Sequence, residues 1–189
     1  SGGFVMSGST TKTVGAVNTS TQVGISLKRT VAKVALQTSI DPEFSEKYPG
    51  SITINSVRLS RAASQSLIVA GTPSTGAMTY THTQTPGTAS SKYNSLFYVY
   101  ETGTLDAGSR VLLEINATYD SDGSSSTSSD RSDVTYSIEL TGKAAGQILR
   151  NGYYRVAANI TGLVGQDCQA SVTVADWETP VTQSVDLGA

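Results

Sequence analysis

An all-β fold is predicted, and three observations predict it. Apolar and polar residues alternate at period two through most of the chain, helical periodicity is scarce, and the alternating runs are bounded by Gly, Pro, Ser and Asn. The composition agrees. Of 189 residues only 15% are charged, and nine Tyr outnumber three Phe and one Trp, a balance that suits the half-exposed sheets of an extracellular protein.

Taken in order, the alternation predicts about ten strands. Val23, Ile25 and Leu27 alternate with Gly24 and Ser26, and a second run over residues 29–40 carries Val31, Val34 and Leu36. The slip of phase between Val31 and Val34 predicts a bulge or a change of strand. Asp41-Pro42 and Tyr48-Pro49-Gly50 are turn signals. Ile52, Ile54, Val57 and Leu59 resume the alternation, and the short apolar run 67–70 predicts a neighbouring strand.

Residues 71–94 are rich in Thr, Ser, Gly and Pro, with Met78 and Tyr80 as their apolar anchors. This is the signature of a crossing segment, and it predicts a domain boundary. The expected division is an N-terminal domain over 1–72, a crossing segment over 73–94 and a C-terminal domain over 95–189.

In the second half, strands are predicted at 96–100 and 111–119. The Ser/Asp-rich stretch 120–133 then reads as a hairpin tip. Val134, Tyr136, Ile138 and Leu140 give the cleanest alternation, residues 144–149 suggest one helical turn, and Asn151-Gly152 is a strong turn dipeptide. Tyr154, Val156, Ala158 and Ile160 share a face, as do Ala170, Val172 and Val174 on the way to Trp177. After Pro180, the residues Val181, Gln183, Val185 and Leu187 fall on one face of a last strand. Such a strand can close the edge of its own sheet or leave to pair with another molecule.

Composition also excludes function classes. The formal net charge is −2 and Lys and Arg are scattered singly, so no basic footprint for nucleic acid is present. The single cysteine, Cys168, cannot form an intrachain disulfide and reads as a small apolar residue near a strand start. No apolar run is long enough to span a membrane as a helix. The chain opens on Ser1-Gly2-Gly3 without a signal-peptide pattern, which predicts a processed or truncated piece of a precursor.

The residues of catalysis are sparse. His82, the only histidine, stands in the crossing segment with no second His or Cys nearby, so a metal site or a Ser-His-Asp set lacks its usual parts. Asp120, Asp122, Asp130 and Asp133 flank a Gly/Ser-rich loop without the ordered spacing of an EF-hand, and they read as a solvated loop. No glycine loop leads from a strand into a helix, so phosphate cradling has no basis. Asn18, Asn116 and Asn159 head acceptor-type triplets that read better as polar strand positions. Tyr80, Tyr93 and Tyr119 are candidates for stacking on sugars, though sheet tyrosines ordinarily pack across strands. No enzyme activity and no cofactor is expected.

Four segments, in order along the chain, resemble the fimbrillin family of Bacteroidales surface pili. Gly3-Phe4-Val5-Met6-Ser7-Gly8 followed by Arg29-Thr30-Val31-Ala32-Lys33 is similar to an M-[ST] … R-x-x-A-[KR] stretch. Phe97-Tyr98-Val99-Tyr100-Glu101 is similar to F-Y-V-x-E. Ile148-Leu149-Arg150-Asn151-Gly152-Tyr153-Tyr154 resembles I-x-R-N-x-x-Y, and Val174-Ala175-Asp176-Trp177 resembles V-x-x-W.

The resemblance implies two transthyretin-like Greek-key β-sandwich domains, export as a lipoprotein precursor, proteolytic removal of an N-terminal strand and polymerisation by donor-strand exchange. Removing a strand exposes unpaired backbone groups and a hydrophobic groove, which another subunit's strand can fill. The donor implied here is residues 178–187, with Val181, Gln183, Val185 and Leu187 on the plugging face and Trp177 anchoring the point of departure. Family members carry more chain before the Met-Ser-Gly stretch, including the lipidated cysteine, so the first domain is expected to be incomplete.

The expected function is a structural or adhesive subunit of a surface fimbrium at the outer membrane. Its expected partners are other pilus subunits and a host or bacterial surface protein or glycan, with a membrane reached only through the lipidated precursor. The alternative is a non-polymerising glycan-binding module or tip adhesin.

Overall fold

The computed structural model describes residues 3–17, 21–73, 76–87, 93–124, 126–142, 146–163, 173–176 and 181–187. Two short strands, β1 (Met6–Ser7) and β2 (Lys28–Arg29), form an antiparallel ribbon that leads into β3 (Val31–Ile40). A single helical turn, α1 (Phe44–Lys47), joins β3 to β4 (Ser51–Ala62). Then follow β5 (Tyr80–Gln84), β6 (Ser95–Tyr100), β7 (Leu112–Asp120), β8 (Arg131–Glu139), β9 (Gly152–Ile160), β10 (Thr173–Asp176) and β11 (Val181–Leu187).

One sheet is built on β3, which pairs antiparallel with β6 and parallel with β9; β10 and β11 lie beyond β9. The other is antiparallel throughout, in the order β5-β4-β7-β8. Inward residues alternate as period two requires. Ala32, Val34 and Leu36 of β3, Phe97 and Val99 of β6 and Tyr154, Val156, Ala158 and Ile160 of β9 face Val57 and Leu59 of β4, Leu113 and Ile115 of β7 and Tyr136 and Ile138 of β8 across one buried cluster. Each large side chain so buried contributes about 1.5–3 kcal/mol.

Strands from both sides of the expected crossing segment contribute to this core. Among the described residues, strands from 31–62 and from 95–160 occur together in both sheets. The proposed crossing segment supplies β5, and Met78 packs against the core. The composition of 73–94 is that of an edge strand between loops, which Thr- and Ser-rich sequence makes as readily as a linker.

The expected phase slip lies elsewhere. β3 runs unbroken, and the irregularity falls in β4, whose register against β7 shifts between Ile54 and Ser56. Ile52 occupies an even position and Val57 and Leu59 odd ones, and the shift lets all three face the core. A second irregularity between Leu59 and Ala62 coincides with Arg61 at φ +54° and returns Ala62 to the interior. Residues 67–70 are not a strand but an exposed loop segment, and 23–27 belong to neither sheet. Residues 144, 145, 170, 172 and 177, and Cys168, lie outside the described residues.

β3 spans about 33 Å at ~3.3 Å per residue and separates two dissimilar ends. At one, the ribbon root, Asn151 and the start of β9 meet: the Asn151 N–H donates to the Val31 carbonyl at 3.0 Å, and Arg29 donates to Asn151 Oδ1 at 3.2 Å. At the other, the 41–50 segment is clamped to the β7–β8 hairpin. Asp41 N–H donates to the Ile160 carbonyl at 2.9 Å, Tyr119 OH donates to the Pro49 carbonyl, and the Phe44 and Tyr119 rings meet edge-on with centroids 6.3 Å apart. Gly50, at φ +100°, lies so close to the Asp120 carbonyl that a Cβ would come within 2.1 Å of it.

Candidate functional site: the outer edge of β9

The entry to β9 is a turn in which each residue has a geometric reason. Asn151 takes φ +58°, a conformation that Asn tolerates better than most residues. A Cβ on Gly152 would stand 2.7 Å from the Tyr154 ring and 2.8 Å from the Leu149 carbonyl. That absence of a side chain lets the buried Tyr154 ring fold back so that its OH accepts the Leu149 N–H at 2.8 Å.

β3 occupies one edge of β9. The opposite edge is shared by two strands. β10 pairs antiparallel with Gly152–Arg155, and β11 runs parallel along Tyr154–Ile160. In that register Val181, Gln183, Val185 and Leu187 stand opposite Tyr154, Val156, Ala158 and Ile160, which are the β9 residues that face the core. The four residues singled out from the sequence are therefore the register partners of that buried set. Trp177, the expected anchor, lies outside the described residues.

Next to the β9 entry, Arg150 spends all five of its N–H donors. Nε donates to Glu101 Oε2 at 2.9 Å and a second nitrogen to Oε1; the remaining donors reach the carbonyls of Leu67 at 2.9 Å and Ile68 at 3.2 Å and Ser7 Oγ at 3.1 Å. The paired carboxylate raises the Arg150 pKa further, so it is charged at all working pH values. Sequence reasoning missed this cluster, although Glu101 and Arg150 stand in two of the family-like segments. It fastens the loop 63–73 and the ribbon to the sandwich, beside a cavity of about 260 Å³ lined by Gln65, Ser66, Leu67, Thr72, Pro73 and Glu101.

At the far end, Asp120, Asp122 and Asp130 bring carboxylate oxygens within 4.8 Å of one another, whereas Asp133 turns away to accept from Thr118 at 2.9 Å. The grouped oxygens are largely used within the protein. Asp120 accepts from Arg131 Nε at 3.0 Å and Gly123 N–H at 2.9 Å, and Asp122 from Ser124 N–H at 2.7 Å and Thr127 OH at 2.8 Å. The Ser124 bond, followed by that from Thr127, holds the exposed Asp122 below its ordinary pKa. Bonds from Glu43 N–H and then from Asn159 do the same for Asp41.

Of the candidate sugar-stacking tyrosines, Tyr119 packs on Phe44, Tyr80 lies exposed on β5, and Tyr93 lies beneath the Arg155 guanidinium, 5.5 Å from ring centroid to Cζ. The outer face of β3, β6 and β9 carries a set not foreseen: Lys33 Nζ sits 4.7 Å from the Tyr153 centroid, Arg155 lies 4.9 Å from the same ring, and Tyr98 meets Phe4 in a tilted contact with centroids 4.7 Å apart. Register across three strands, which sequence alone does not supply, creates this face. His82 lies on β5 and meets Phe97 edge-on at 6.0 Å. Among the described residues no helix is long and apolar enough to cross a membrane.

No family model matches the chain, and no curated protein does. Solved structures do. A putative cell adhesion protein from Bacteroides eggerthii DSM 20697 matches with a TM-score of 0.53 at 20% identity, covering 86% of this chain and 59% of that one. A putative cell adhesion protein from Parabacteroides distasonis ATCC 8503 matches with a TM-score of 0.55 at 16% identity, covering 84% and 55%. The likeness is one of fold, and this chain spans a little over half the length of those proteins.

Proposed function

We propose that this chain is a subunit of a bacterial cell-surface fibre of the fimbrillin kind, joined to neighbouring subunits by exchange of its last strand. The observation that supports it is the register of β11 on β9. A terminal strand seated on a sheet edge, its residues in register with the buried set of its neighbour, makes main-chain bonds that the same strand of another copy can make equally well. On this reading the sandwich is one transthyretin-like unit of the family, its partners are other pilus subunits, and a lipidated precursor provides the only membrane attachment. The chain carries no chemistry of its own. The fold likeness to proteins described as putative cell adhesion proteins supports an adhesive role at the cell surface.

Light scattering on the full chain and on a version ending at Trp177 tests the reading. Ladders from the full chain, loss of them on truncation and capture of a synthetic 178–189 peptide by the truncated, folded chain are expected. A truncated chain that folds but ignores the peptide refutes strand exchange.

A second reading, a glycan-binding module or tip adhesin, is favoured by the Tyr98, Tyr153, Lys33 and Arg155 face, since aromatic rings and cations suit acidic sugars. Binding of the monomer on a glycan array, lost in Tyr98→Ala, is its signature.

A further inference from the structure

The N-terminal ribbon and the segment leading into it carry apolar residues that the described residues leave exposed. Met6 stands on β1, and the segment that leads into β2 carries Leu27, Ile25 and Val23. All are exposed, the last three by 54–59%. Such a group of exposed large apolar side chains at one end of the fold marks an interaction surface.

Charge identifies the occupant. Residues 1–40 hold four Lys or Arg and no Asp or Glu, so the formal −2 of the whole chain leaves −6 on residues 41–189. Much of that negative charge gathers at the opposite end. Asp41, Glu43 and Glu46 on one segment and Asp120, Asp122 and Asp130 on the hairpin loop face only Lys47 and Arg131 among the described residues of those two segments. The two segments are bound together by the Tyr119 to Pro49 bond and the Gly50 approach to Asp120. Exposed Ile40 lies at the same end and offers an apolar contact.

We infer that the basic, apolar ribbon of one copy docks on the acidic end of the next, so that copies align head to tail before any strand is exchanged. The contact joins two different patches and does not close on itself, which is the geometry of a filament. Opposite potentials at the two ends orient the encounter and raise its rate, and salt screens them over about 8 Å at physiological ionic strength. The inference rests on the reading that copies assemble, and it assigns the orienting step to residues outside β11.

The test uses full-length chains checked for folding by circular dichroism: the wild type, Lys12→Glu/Lys28→Glu and Glu43→Lys/Glu46→Lys, by analytical ultracentrifugation at low and high salt. Wild-type association is expected to weaken about tenfold or more between low and high salt. Each reversed variant alone is expected to be monomeric, and an equimolar mixture to recover assembly with the two variants alternating, because the reversed ribbon of one meets the reversed end of the other while the unaltered ribbon of the second meets the unaltered end of the first. Salt-independent association, self-association of either variant at the wild-type level, a wild type monomeric at low salt, or a mixture that stays monomeric each overturns the docking. A full-length Val185→Asn/Leu187→Asn variant separates the two ideas. If it still associates in a salt-sensitive way but forms no ladders, docking and strand exchange both hold; if it forms ladders like the wild type, strand exchange fails and docking stands.

Discussion

Arg150 and Glu101, 49 residues apart in sequence, meet as a two-pronged ion pair with only 10% and 8% of their side chains exposed. Removing one partner of such a pair leaves a charge buried without compensation, which costs about 3–5 kcal/mol. Arg150→Ala is therefore expected to lower stability by about 3 kcal/mol in urea denaturation. Arg150→Ala/Glu101→Ala is expected to cost clearly less than the two single changes combined. Hydrogen exchange should also quicken in residues 3–8 and 63–73, since Ser7 and the Leu67 and Ile68 carbonyls lose their donor. Additive single changes with no change in exchange would refute the clamp.

Gly152→Ala tests the entry to β9. The new methyl would have to displace the Leu149 carbonyl or the buried Tyr154 ring, and overpacking of this kind costs about 1–3 kcal/mol. Gly3→Ala is the control, because nothing lies within 4 Å of its Cβ position. Equal stability of the two variants would sink the argument.

The strands were legible where one face is buried and the other wet, as in β6, where Ser95, Phe97 and Val99 are buried while Leu96, Tyr98 and Tyr100 are exposed. The hairpin at 120–131 and the Asn151-Gly152 turn were legible for the same local reason. The bulge was misplaced because it is set by pairing: whether Ile52 and Val57 can share a face depends on β7, which sequence does not put beside β4. That β3 and β4 share a buried cluster with β6 to β9 is not written in the alternation, which fixes which face of a strand is buried and says nothing about its neighbour. Likewise, Val181, Gln183, Val185 and Leu187 could be picked out by period, but their place against β9 is a matter of register.

Acid should loosen the 41–50 segment and the hairpin loop before the sandwich. Asp41 and Asp122 titrate below the ordinary carboxylate value of 3.8 in the folded chain, chiefly because backbone N–H groups of Glu43 and Ser124 bind the ionised forms. A depressed folded pKa contributes stability that is present above the unfolded value and lost as pH falls through the folded one. Faster amide exchange at Glu43 and Ser124 is therefore expected below about pH 4, with strands β3 and β7 still protected. Asp122→Asn should remove the acid dependence at Ser124. Loss of protection everywhere at one pH would show that these carboxylates do not control the end.

A single core predicts a single unfolding transition. Leu59 lies in β4, within the span first assigned to an N-terminal domain, and Val156 lies in β9, in the other half; both belong to one buried cluster and neither is exposed. Leu59→Ala should cost about 2–5 kcal/mol and Val156→Ala somewhat less, since fewer methyl groups leave the core. Each should shift the whole denaturation curve, whether followed by circular dichroism or by the tyrosines of both halves. Two independently folding halves would respond differently: each substitution would move only its own transition and split the curve in two. Coincident curves for both variants with an unchanged denaturant dependence would establish that strands from the two halves fold as one unit.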